Sequence, residues 1–361
     1  MNKFNKKILI ILPTLRRGGA ERFTVNLFNE LKSNGVDVKL VICGKKEGYS
    51  DEIAFKDSII YLNKNRFLNS ILLLHKVISD EKPDIVLSMF AHVNSVLISF
   101  KLIFSFKFEL YLREVNLIEK TIDGYGFFYK KLLLFQYRYL YRKFVKLIIC
   151  QSSSMQESLA KKTSVNSIVI NNGVNVSNVI SMSKLKDNDM PFLNGKYNIL
   201  FVGRISEQKG IDILLETASL LDNRFCIFIY GAGDGVSSLK NKLNEEAFSN
   251  VYFKGQVSNP YNLMANTDRL IMSSRYEGFP NVAIEALLLG TPIIRTPFKG
   301  GEREIFSPLN SVTAESFSAP DLAKAIFESF STTYQKNTIS QETSKKFDMK
   351  NIAKLYLEAF K

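Results

Sequence analysis

Two glutamates lie in residues 273–294, whose sequence is SSRYEGFPNVAIEALLLGTPII, with seven residues between Glu277 and Glu285. Pro280 favours the first turn of a helix and Gly290 favours its end, so Glu277 precedes a helix and Glu285 lies inside it. The neighbours of Glu285 are almost all apolar, and a buried acid is unfavourable unless it has a hydrogen-bond partner. Either Glu285 bonds to its own protein, or it accepts hydrogen bonds from ligand hydroxyls such as those of a ribose.

The loop FVGRISEQKG (201–210) brings two cations to the start of a helical pattern, with Arg204 after an apolar run and Lys209 beside Gly210. In parallel α/β sheets, ligands bind at the carboxyl ends of strands, where loops lead into helix N-termini. A guanidinium and an ammonium add to the helix dipole there, which suits a diphosphate. The alternative is that both cations are surface salt-bridge partners.

Two glycine-rich loops carry weaker signals. In LRRGGAER (15–22), Gly18 and Gly19 leave backbone N–H groups open to a phosphate or a sugar, and a plain tight turn is the alternative. YGAGDGV (230–236) follows a strand pattern, but its glycines lack the G-x-G-x-x-G spacing. No acid ends the next strand to hold an adenosine ribose, which argues against an NAD(P) oxidoreductase.

Strand-like and helix-like patterns alternate along the chain, which predicts an α/β protein with parallel sheets covered by helices. The strand patterns lie at 7–15, 36–43, 84–90, 108–114, 146–152, 197–203, 225–231, 251–255, 269–274 and 291–296. We predict two Rossmann-like domains that face across a cleft, residues 1–180 and residues 190–345, joined by a polar linker at 177–195. Residues 346–361 are predicted to form an amphipathic helix that docks on another part of the chain.

The composition is that of a globular protein, with 361 residues that are 46% hydrophobic and 23% charged. The separate Cys43, Cys150 and Cys226 are expected to be buried thiols. The start MNKFNKKILIILPTL leads into RRGGAER instead of a small-residue cleavage site, so we predict a first strand and no signal peptide. No apolar run reaches the length of about 18 residues that a membrane span needs.

The net charge of +13 is concentrated in the first half of the chain. Residues 1–170 contain 27 Lys+Arg against 15 Asp+Glu, whereas residues 171–361 contain 21 against 20. The first half is therefore expected to meet an anionic partner, which is nucleic acid, a phosphorylated substrate or acidic lipid.

Residues 127–147, FFYKKLLLFQYRYLYRKFVKL, contain six basic residues, eight aromatics and no acid. Lys131, Arg138 and Arg142 fall on one helical face, a mixture that suits an interfacial helix on an anionic membrane surface. The alternative is that the aromatics form core and the charges are merely solvated. Basic and aromatic surfaces also bind single-stranded nucleic acid, so charge alone leaves that partner open.

Four blocks of the sequence resemble, in the same order, those of retaining glycosyltransferase family 4, whose members have the two-domain GT-B architecture. They are GGAER (18–22), NNGV (171–174), GRISEQKG (203–210) and residues 273–294. Glu277 and Glu285 form the E-x7-E motif of that family. The blocks extend across nearly the whole chain, and they are similar to those of bacterial polysaccharide and O-antigen glycosyltransferases.

The resemblance implies a nucleotide-diphosphate sugar bound mainly by the second half. Arg204 and Lys209 match the family's diphosphate-binding pair. Glu285 matches the acid that holds the ribose hydroxyls, and Glu277 matches the acid at the donor sugar. Further donor contacts are implied for Gly18 and Gly19, in the loop that closes over the donor, and for Gly278, Phe279, Pro280 and Asn281. The terminal helix resembles the one that crosses back to the first domain.

One region departs from the common family pattern. Many members place a histidine after the strand that matches FELYLRE (108–114), whereas this chain has Arg113, Glu114 and Asn116 there, similar to a subgroup. His92 follows the preceding strand and could line the cleft, so these four residues are possible acceptor-side groups. The other histidine, His75, lies in an apolar helical pattern and is interpreted as structural.

The mechanism implied by the resemblance needs no metal or other cofactor besides the nucleotide sugar. Arg204 and Lys209 would stabilise the negative charge on the leaving diphosphate, so they join Glu277 as the candidate catalytic residues. The acceptor hydroxyl would attack on the face that the phosphate leaves, with a phosphate oxygen as base. A metal-binding D-x-D pattern occurs at Asp187–Asp189, inside the predicted linker, and is interpreted as a coincidence.

We therefore predict a retaining enzyme that moves a hexosyl or N-acetylhexosaminyl unit from a UDP-sugar to a lipid-linked oligosaccharide in surface polysaccharide biosynthesis. A GDP-mannose-dependent mannosyltransferase is the alternative donor class, and a basic nucleic-acid-binding α/β protein is the alternative from another class. The predicted partners are the nucleotide sugar, the lipid-linked acceptor and the anionic membrane, with no nucleic acid. The predicted location is cytoplasmic and peripheral, on the inner face of the plasma membrane.

Overall fold

The fold is that of a computed structural model, which describes residues 4–16, 18–119, 126–185, 190–242 and 248–361. The chain divides into two compact units. The first consists of Met1–Gly173 and Met349–Lys361, and the second of Val174–Asp348.

The first unit contains a parallel sheet of seven strands in the order β3-β2-β1-β4-β5-β6-β7. The strands are β1 (Ile8–Leu12), β2 (Val38–Ile42), β3 (Ile59–Tyr61), β4 (Ile85–Ser88), β5 (Glu109–Arg113), β6 (Val145–Cys150) and β7 (Ser167–Val169). In register, Ile8 lies opposite Val38 on one side and Ile85 on the other. The strand order therefore reverses between β1 and β4, as in a Rossmann fold.

Helices follow most strands of the first unit. They are α1 (Gly19–Ser33), α2 (Ile71–Glu81), α3 (Ala91–Phe104), α4 (Phe127–Phe135), α5 (Tyr141–Phe144) and α6 (Ser153–Ala160), with a π-helical turn at Gln136–Leu140 and short 3-10 turns at Ser50–Glu52, Lys56–Ser58 and Phe67–Ser70. The returning segment supplies a further helix, Met349–Ala359, which is α15 in chain order.

Alternate residues of each strand face opposite sides of the first sheet, so two cores form. On one side, Ile10 packs in a cluster with Phe28 of α1 and Tyr356 of α15. On the other side, Leu9 packs in a cluster with Leu97 of α3 and with residues of α2 and α4. Each fully buried aliphatic or aromatic side chain contributes about 1.5–3 kcal/mol to folding, so these two clusters fix which helices cover which face.

A buried hydrogen bond connects α15 to β5. Arg113 Nε donates to Tyr356 Oη at 2.6 Å, and its Nη2 donates to Asn172 Oδ1. The guanidinium also lies 3.9 Å from the ring centroid of Phe23 in α1. Burial lowers the pKa of Arg113, and the contact with Tyr356 opposes that shift. One cation therefore ties together the sheet, α1 and the returning helix.

The second unit contains a parallel sheet of six strands in the order β10-β9-β8-β11-β12-β13. The strands are β8 (Tyr197–Val202), β9 (Phe225–Tyr230), β10 (Val251–Gly255), β11 (Arg269–Met272), β12 (Ile293–Arg295) and β13 (Ser311–Thr313). The strand order of this sheet also reverses next to its first strand, here between β8 and β11. Each of the two units therefore contains a Rossmann-like sheet.

Helices of the second unit pack on both faces of this sheet. They are α7 (Val176–Ser183), α8 (Ile211–Ala218), α9 (Val236–Lys242), α10 (Tyr261–Asn266), α11 (Asn281–Leu288), α12 (Glu302–Ile305), α13 (Ala319–Ser331) and α14 (Lys336–Phe347), with a 3-10 turn at Glu207–Lys209. Leu200 of β8 packs in a cluster with residues of α10, α11 and α14, and Ile199 packs in a cluster with residues of α8 and α13.

The predicted α/β architecture of two Rossmann-like domains with parallel sheets is confirmed, but the predicted linker is wrong over its first part. Residues Val176–Ser183 form α7, and Val179 is buried in a core cluster of the second unit. Asn262 Nδ2 donates to Ser183 O at 2.8 Å. The serines and asparagines of this segment suggested a linker because only one side of the short helix is apolar.

The boundaries of the structural units differ from the predicted ones. The predicted domain boundaries lie at 180–190 and at 345–346. The boundaries between the structural units lie after Gly173 and after Asp348. Three strands, β3, β7 and β13, were not predicted. Each has three residues, which is too short for a periodic pattern to stand out from its surroundings.

Cys43, Cys150 and Cys226 are buried free thiols, as predicted. Burial raises the pKa of Cys43 to about 11 and that of Cys150 to about 12, so both thiols are protonated at neutral pH. Among the described residues, no helix has the length and apolar character needed to cross a membrane.

Tyr356→Phe removes the buried acceptor of Arg113 Nε. Because hydrogen bonds to charged groups contribute about 1.5–3 kcal/mol, we expect a loss of that size in the free energy of unfolding of the first unit. Urea denaturation followed by circular dichroism measures it. The control is Leu355→Ala, at a neighbouring position that is 43% exposed, and it should change stability by less than about 0.5 kcal/mol. Equal stability of the two variants would contradict the role of this bond.

Candidate functional site

Two loops meet where the strand order of the second sheet reverses. β8 and β11 are neighbouring parallel strands, with Leu200 opposite Leu270. The loops that follow these two strands therefore leave the sheet at the same edge. The loop after β8 carries Arg204 and Lys209, and the loop after β11 carries Glu277. The carboxyl edge at such a reversal is where open α/β sheets bind ligands.

Lys209 and Glu277 are in direct contact. Lys209 Nζ lies 2.6 Å from Glu277 Oε1, and the side chains are only 19% and 8% exposed. Ser274 Oγ donates to the same oxygen at 2.6 Å. Because both contacts use Oε1, the carboxylate of Glu277 is held in one orientation, and Oε2 takes part in neither contact.

Further hydrogen bonds join the two loops through their backbones. Ser273 Oγ donates to Lys209 O, and Arg275 N donates to Gln208 O, each at 2.8 Å. Gln208 Nε2 donates to the backbone oxygen of Tyr276 at 3.1 Å. The position of Lys209 relative to Glu277 is therefore set by the loops as well as by their own ion pair.

Arg204 lies in the same loop as Lys209 but is exposed. Among the residues that the structure describes, none accepts a hydrogen bond from its guanidinium or forms a salt bridge with it. Lys209 ends the 3-10 turn Glu207–Lys209, which leads into α8 through Gly210. The guanidinium of Arg204 thus lies near the start of a helix and next to the ion-paired Lys209, a position at which it can bind an anion.

The loop after β12 closes against the back of Glu277. Glu277 N donates to Lys299 O at 3.3 Å, and a Cβ atom on Gly300 would lie 2.0 Å from Glu277 O. Gly300 also has φ +116°, a value that L side chains rarely adopt. Arg295 Nη2 donates to Phe298 O within the same loop. Gly300 was not singled out in the sequence, since the fold alone brings it to Glu277. Arg295, which holds this loop through Phe298, was not singled out either.

Glu285 lies inside α11, as the sequence predicted, and is 6% exposed. Tyr261 Oη donates to Glu285 Oε1 at 3.3 Å, and Tyr261 itself is buried at the start of α10. The first of the two interpretations of Glu285, a bond to its own protein, is thus observed. This bond does not decide the second, because a carboxylate accepts several hydrogen bonds.

The backbone between the two glutamates is compact. Gly278, Phe279 and Pro280 are buried, and α11 begins at Asn281 directly after Pro280. Phe279 packs in a core cluster of the second unit, which keeps this loop in place.

The sequence did not identify two residues that hold the glutamates, Ser274 and Tyr261. Ser274 stands three residues before Glu277 in the sequence, but nothing in the sequence connects Tyr261 with Glu285.

The glycines of YGAGDGV (230–236) have a structural explanation. A Cβ atom on Gly231 would lie 1.9 Å from Gly203 O, so this turn packs directly against the loop that carries Arg204. Close packing of two backbones accounts for glycine here without a dinucleotide.

In the first unit, Gly18 precedes α1 and Gly19 is its first residue. A Cβ atom on Gly18 would meet the end of the Glu21 side chain, which can move, so the chain itself does not demand glycine. The predicted contact of Gly18 and Gly19 with the donor stays a prediction.

The possible acceptor-side residues are placed differently from one another. Arg113 and Glu114 are buried, Asn116 is exposed, and His92 lies in the first turn of α3. Tyr137 Oη donates to Glu114 Oε1 at 2.9 Å, and burial raises the pKa of Glu114 to about 7. Burial lowers the pKa of His92, which favours the neutral ring. Their roles as acceptor-side groups stay predictions.

His75 packs its ring against Phe104, with the two centroids 4.4 Å apart, so its interpretation as a structural residue agrees with its position. Among the described residues, no group of three or more His, Cys, Asp or Glu side chains could hold a metal ion. The D-x-D pattern at Asp187–Asp189 lies outside the described residues.

Two families of known proteins match this chain. Residues 17–178 match the family described as Glycosyltransferase Family 4, and residues 183–346 match the family described as Glycosyl transferases group 1. The two matches are consecutive and correspond to the first and second predicted domains.

Relatives carry similar descriptions. An uncharacterized glycosyltransferase of Methanocaldococcus jannaschii is 31% identical over 64% of this chain, and the chain spans only 60% of that protein's length. The lipopolysaccharide core biosynthesis glycosyltransferase LpsE of Rhizobium meliloti is 24% identical over 86% of this chain and 84% of LpsE. The structure of HepE from Anabaena in complex with UDP-glucose has the same fold, with a TM-score of 0.81 and 18% identity over 99% of both chains.

Gly300→Ala places a methyl group against the backbone of Glu277. We expect a larger fall in melting temperature than for Gly195→Ala, whose φ of +73° is also positive but whose added Cβ would have no atom within 4 Å. Positive φ alone costs a non-glycine residue about 1–2 kcal/mol. The additional loss in Gly300→Ala reports the clash together with the less favourable φ of +116° at that position. Thermal unfolding of both proteins measures it, and equal shifts would contradict the close approach.

Glu114→Gln should change how stability depends on pH. Burial raises the pKa of Glu114 from 4.5 to about 7, so the folded protein holds this proton more tightly than the unfolded chain. Stability from this group is therefore complete at low pH and is lost as pH rises towards 7, by roughly 3 kcal/mol in all. Urea titrations at pH 5 and pH 8 should show this loss in wild type and in Glu358→Gln, an exposed control, but much less in Glu114→Gln. An unchanged pH dependence in Glu114→Gln would contradict the assignment.

Proposed function

This chain belongs to the glycosyltransferases that join a Family 4 domain to a group 1 domain, and from that premise we propose that it transfers sugar in polysaccharide biosynthesis. The donor is a nucleotide-diphosphate sugar. The observation that carries the proposal is the contact of Lys209 with Glu277, beside the exposed Arg204, at the carboxyl edge where β8 meets β11.

The diphosphate binds Arg204 and Lys209. Arg204 offers a guanidinium with two parallel N–H donors, and Lys209 has three ammonium donors, of which the contact with Glu277 uses one. Both lie before α8, whose N-terminal N–H groups add positive potential. A second anion near Lys209 would share a cation that already has one carboxylate partner, so Arg204 carries the larger part of the charge compensation.

Glu285 accepts hydrogen bonds from the ribose hydroxyls of the donor. Its position within α11 and the bond from Tyr261 orient the carboxylate before the ligand arrives. Pre-oriented groups lose less conformational entropy on binding, which favours this acid as the ribose partner.

Glu277 lies at the donor sugar, together with the backbone of Gly278, Phe279, Pro280 and Asn281. We infer that transfer proceeds with retention of configuration and without a metal. The bond between the sugar's anomeric carbon and the phosphate oxygen breaks, and a bond from the acceptor hydroxyl oxygen forms on the same face. The hydroxyl proton passes to the leaving phosphate oxygen, while Arg204 and Lys209 stabilise the charge that develops on the diphosphate.

The donor is a UDP-sugar that carries a hexosyl or N-acetylhexosaminyl unit, with GDP-mannose as the alternative. The complex of HepE with UDP-glucose supports the uridine nucleotide, since HepE shares this fold. The acceptor is a lipid-linked oligosaccharide, in line with the name of the relative LpsE. The enzyme works at the inner face of the plasma membrane, which the basic and aromatic segment 127–147 contacts.

Two experiments in sequence test the proposal. A thermal-shift screen of UDP- and GDP-sugars should find one class that raises the melting temperature. Release of that nucleotide should then require lipid-linked acceptor extracted from a polysaccharide-producing bacterium. Salt-sensitive binding of oligonucleotides with no stabilisation by any nucleotide sugar would overturn the proposal in favour of a nucleic-acid-binding protein.

Glu285→Gln and Glu277→Gln should have different effects. Because hydrogen bonds to a charged group contribute about 1.5–3 kcal/mol, Glu285→Gln should weaken nucleotide binding about tenfold to hundredfold. Glu277→Gln should retain nucleotide binding within a few-fold and lose most turnover, since it acts at the sugar. Isothermal titration and nucleotide release measure both effects. The control is Glu315→Gln, an acid of the second unit whose side chain is 70% exposed. Wild-type behaviour of both variants would contradict the assigned roles.

A further inference from the structure

Three helices form one layer on a single face of the first sheet. Residues of α2, α3, α4 and the π-helical turn after α4 contribute to the same core cluster, which contains Leu74, Leu97, Leu133 and Tyr137. The helices are also joined laterally. The ring of His75 in α2 packs on Phe104 of α3.

Hydrogen bonds make the same lateral connection between α3 and the π-helical turn. Ser95 Oγ in α3 donates to Gln136 Oε1 in that turn at 2.7 Å. We refer to α2 with the turn before it, α3, and Phe127–Phe144 as the helical layer. Its inner side is accounted for by the core, so its outer side is the surface to be explained.

The outer side of the helical layer is unusually apolar. Leu72 is 84% exposed, Ile103 is 66% exposed and Phe128 is 86% exposed, one on each of its three helices. Twelve of the thirteen large hydrophobic side chains that are exposed among the described residues of the first unit belong to this layer. They are Leu68, Leu72, Leu73, Leu102, Ile103, Phe104, Phe127, Phe128, Leu132, Leu134, Phe135 and Tyr139, and the thirteenth is Leu355 on α15.

Single exposed apolar residues are ordinary on soluble proteins, but their concentration on one side of one layer marks an interaction surface. The opposite face of the same sheet is a comparison within the molecule. There, α1 and α15 bury their apolar residues against the sheet and expose only Leu355 of this class among the described residues. Ordinary packing of a Rossmann-like domain therefore does not require the outer side of the helical layer to be apolar.

The helical layer is also basic. Its helices, α2, α3 and the segment from α4 to α5, contain seven Lys and Arg against two acids, Asp80 and Glu81. Glu81 is already paired with Lys7 and Lys39, at 2.6 Å and 2.7 Å. The segment from α4 to α5 has five basic residues and no acid.

Basic and aromatic groups alternate along the exposed side of α4 and the π-helical turn. Lys131 Nζ lies 4.5 Å from the ring centroid of Phe127, and the Arg138 guanidinium carbon lies 5.8 Å from that of Tyr139. Of the aromatics in 127–147, Tyr137 and Tyr141 are core, whereas Phe127, Phe128, Phe135 and Tyr139 are exposed. The interpretation of the aromatics as core therefore holds for Tyr137 and Tyr141 but not for the four exposed rings. The membrane interpretation of the segment stays a prediction.

We propose that the outer side of the helical layer docks on an anionic lipid surface, with side chains from α2, α3 and α4 entering the interface together. Leucine and phenylalanine side chains bury apolar area among the acyl chains, and lysine and arginine meet the headgroup phosphates. Net positive charge argues against a second copy as the occupant, because two such faces would bring like charges together. The docking surface thus extends beyond segment 127–147 to Leu72 and the end of α3.

This inference rests on the proposed function for its biological purpose, since a lipid-linked acceptor would be presented at the same surface. The test is flotation of the full chain with vesicles of phosphatidylcholine containing phosphatidylglycerol, and with vesicles of phosphatidylcholine alone. Wild type should float with the anionic vesicles only, and less at high salt. Arg138→Gln and Arg142→Gln should each weaken vesicle affinity about fivefold.

The decisive variants lie outside segment 127–147. Leu72→Asp and Ile103→Asp should each lower anionic vesicle affinity at least as much as Arg138→Gln, because each puts an acid into the interface. Leu309→Asp, at a position in the second unit that is 66% exposed, should leave it unchanged. Wild-type flotation of both Leu72→Asp and Ile103→Asp, with loss only in Phe128→Asp, would overturn the three-helix surface.

Two further readouts separate the possible failures. Analytical ultracentrifugation that shows a dimer, dispersed by Leu72→Asp, would overturn the proposal in favour of a second copy. Stabilisation by the nucleotide sugar, measured on the same variants, reports the proposed function and an intact second unit. A protein that binds nucleotide sugar but no vesicle would refute the docking surface and leave the glycosyltransferase proposal standing. A protein that binds vesicles but no nucleotide sugar would support the docking surface and refute the glycosyltransferase proposal.

Discussion

The parallel pairing of β8 with β11 is the constraint on which the candidate site depends. These strands are neighbours because the sheet order reverses there, so their loops leave the same edge side by side. One loop supplies a lysine and the other an acid, and the result is the largely buried contact of Lys209 with Glu277 at 2.6 Å. A different strand order would separate the two charges, and each would then be buried without a counter-ion.

Hydrogen bonds and close packing between the loops maintain this contact together with charge. Ser273, Gln208 and Arg275 exchange hydrogen bonds between the two loops, and Ser274 fixes one oxygen of Glu277. Glycines allow neighbouring loops to approach within distances that any side chain would prevent. A site built in this way is oriented before a ligand arrives, which lowers the entropic penalty of binding.

The first unit distributes its polar and apolar groups differently. Arg113 and Glu114 are buried at the end of β5, where Tyr356 and Tyr137 bond to them, while leucine and phenylalanine side chains are exposed on the helical layer. Buried ionisable groups need partners because the protein interior solvates charge poorly. The concentration of exposed apolar groups on one layer, rather than any single one, is what marks an interaction surface. Both features depart from the ordinary pattern of polar outside and apolar inside, and both are located by the structure.

The sequence by itself determined the alternation of strands and helices, the placement of Glu277 before a helix and Glu285 within it, and the position of cations after β8. Those features depend on residue type and spacing over short distances, which a periodic pattern records. Only the tertiary structure decided that Tyr261 holds Glu285, that 176–183 packs as a helix in the core of the second unit, and which aromatics of 127–147 are core. These depend on contacts between residues far apart in the chain, and no local pattern encodes which distant side chain will be the neighbour.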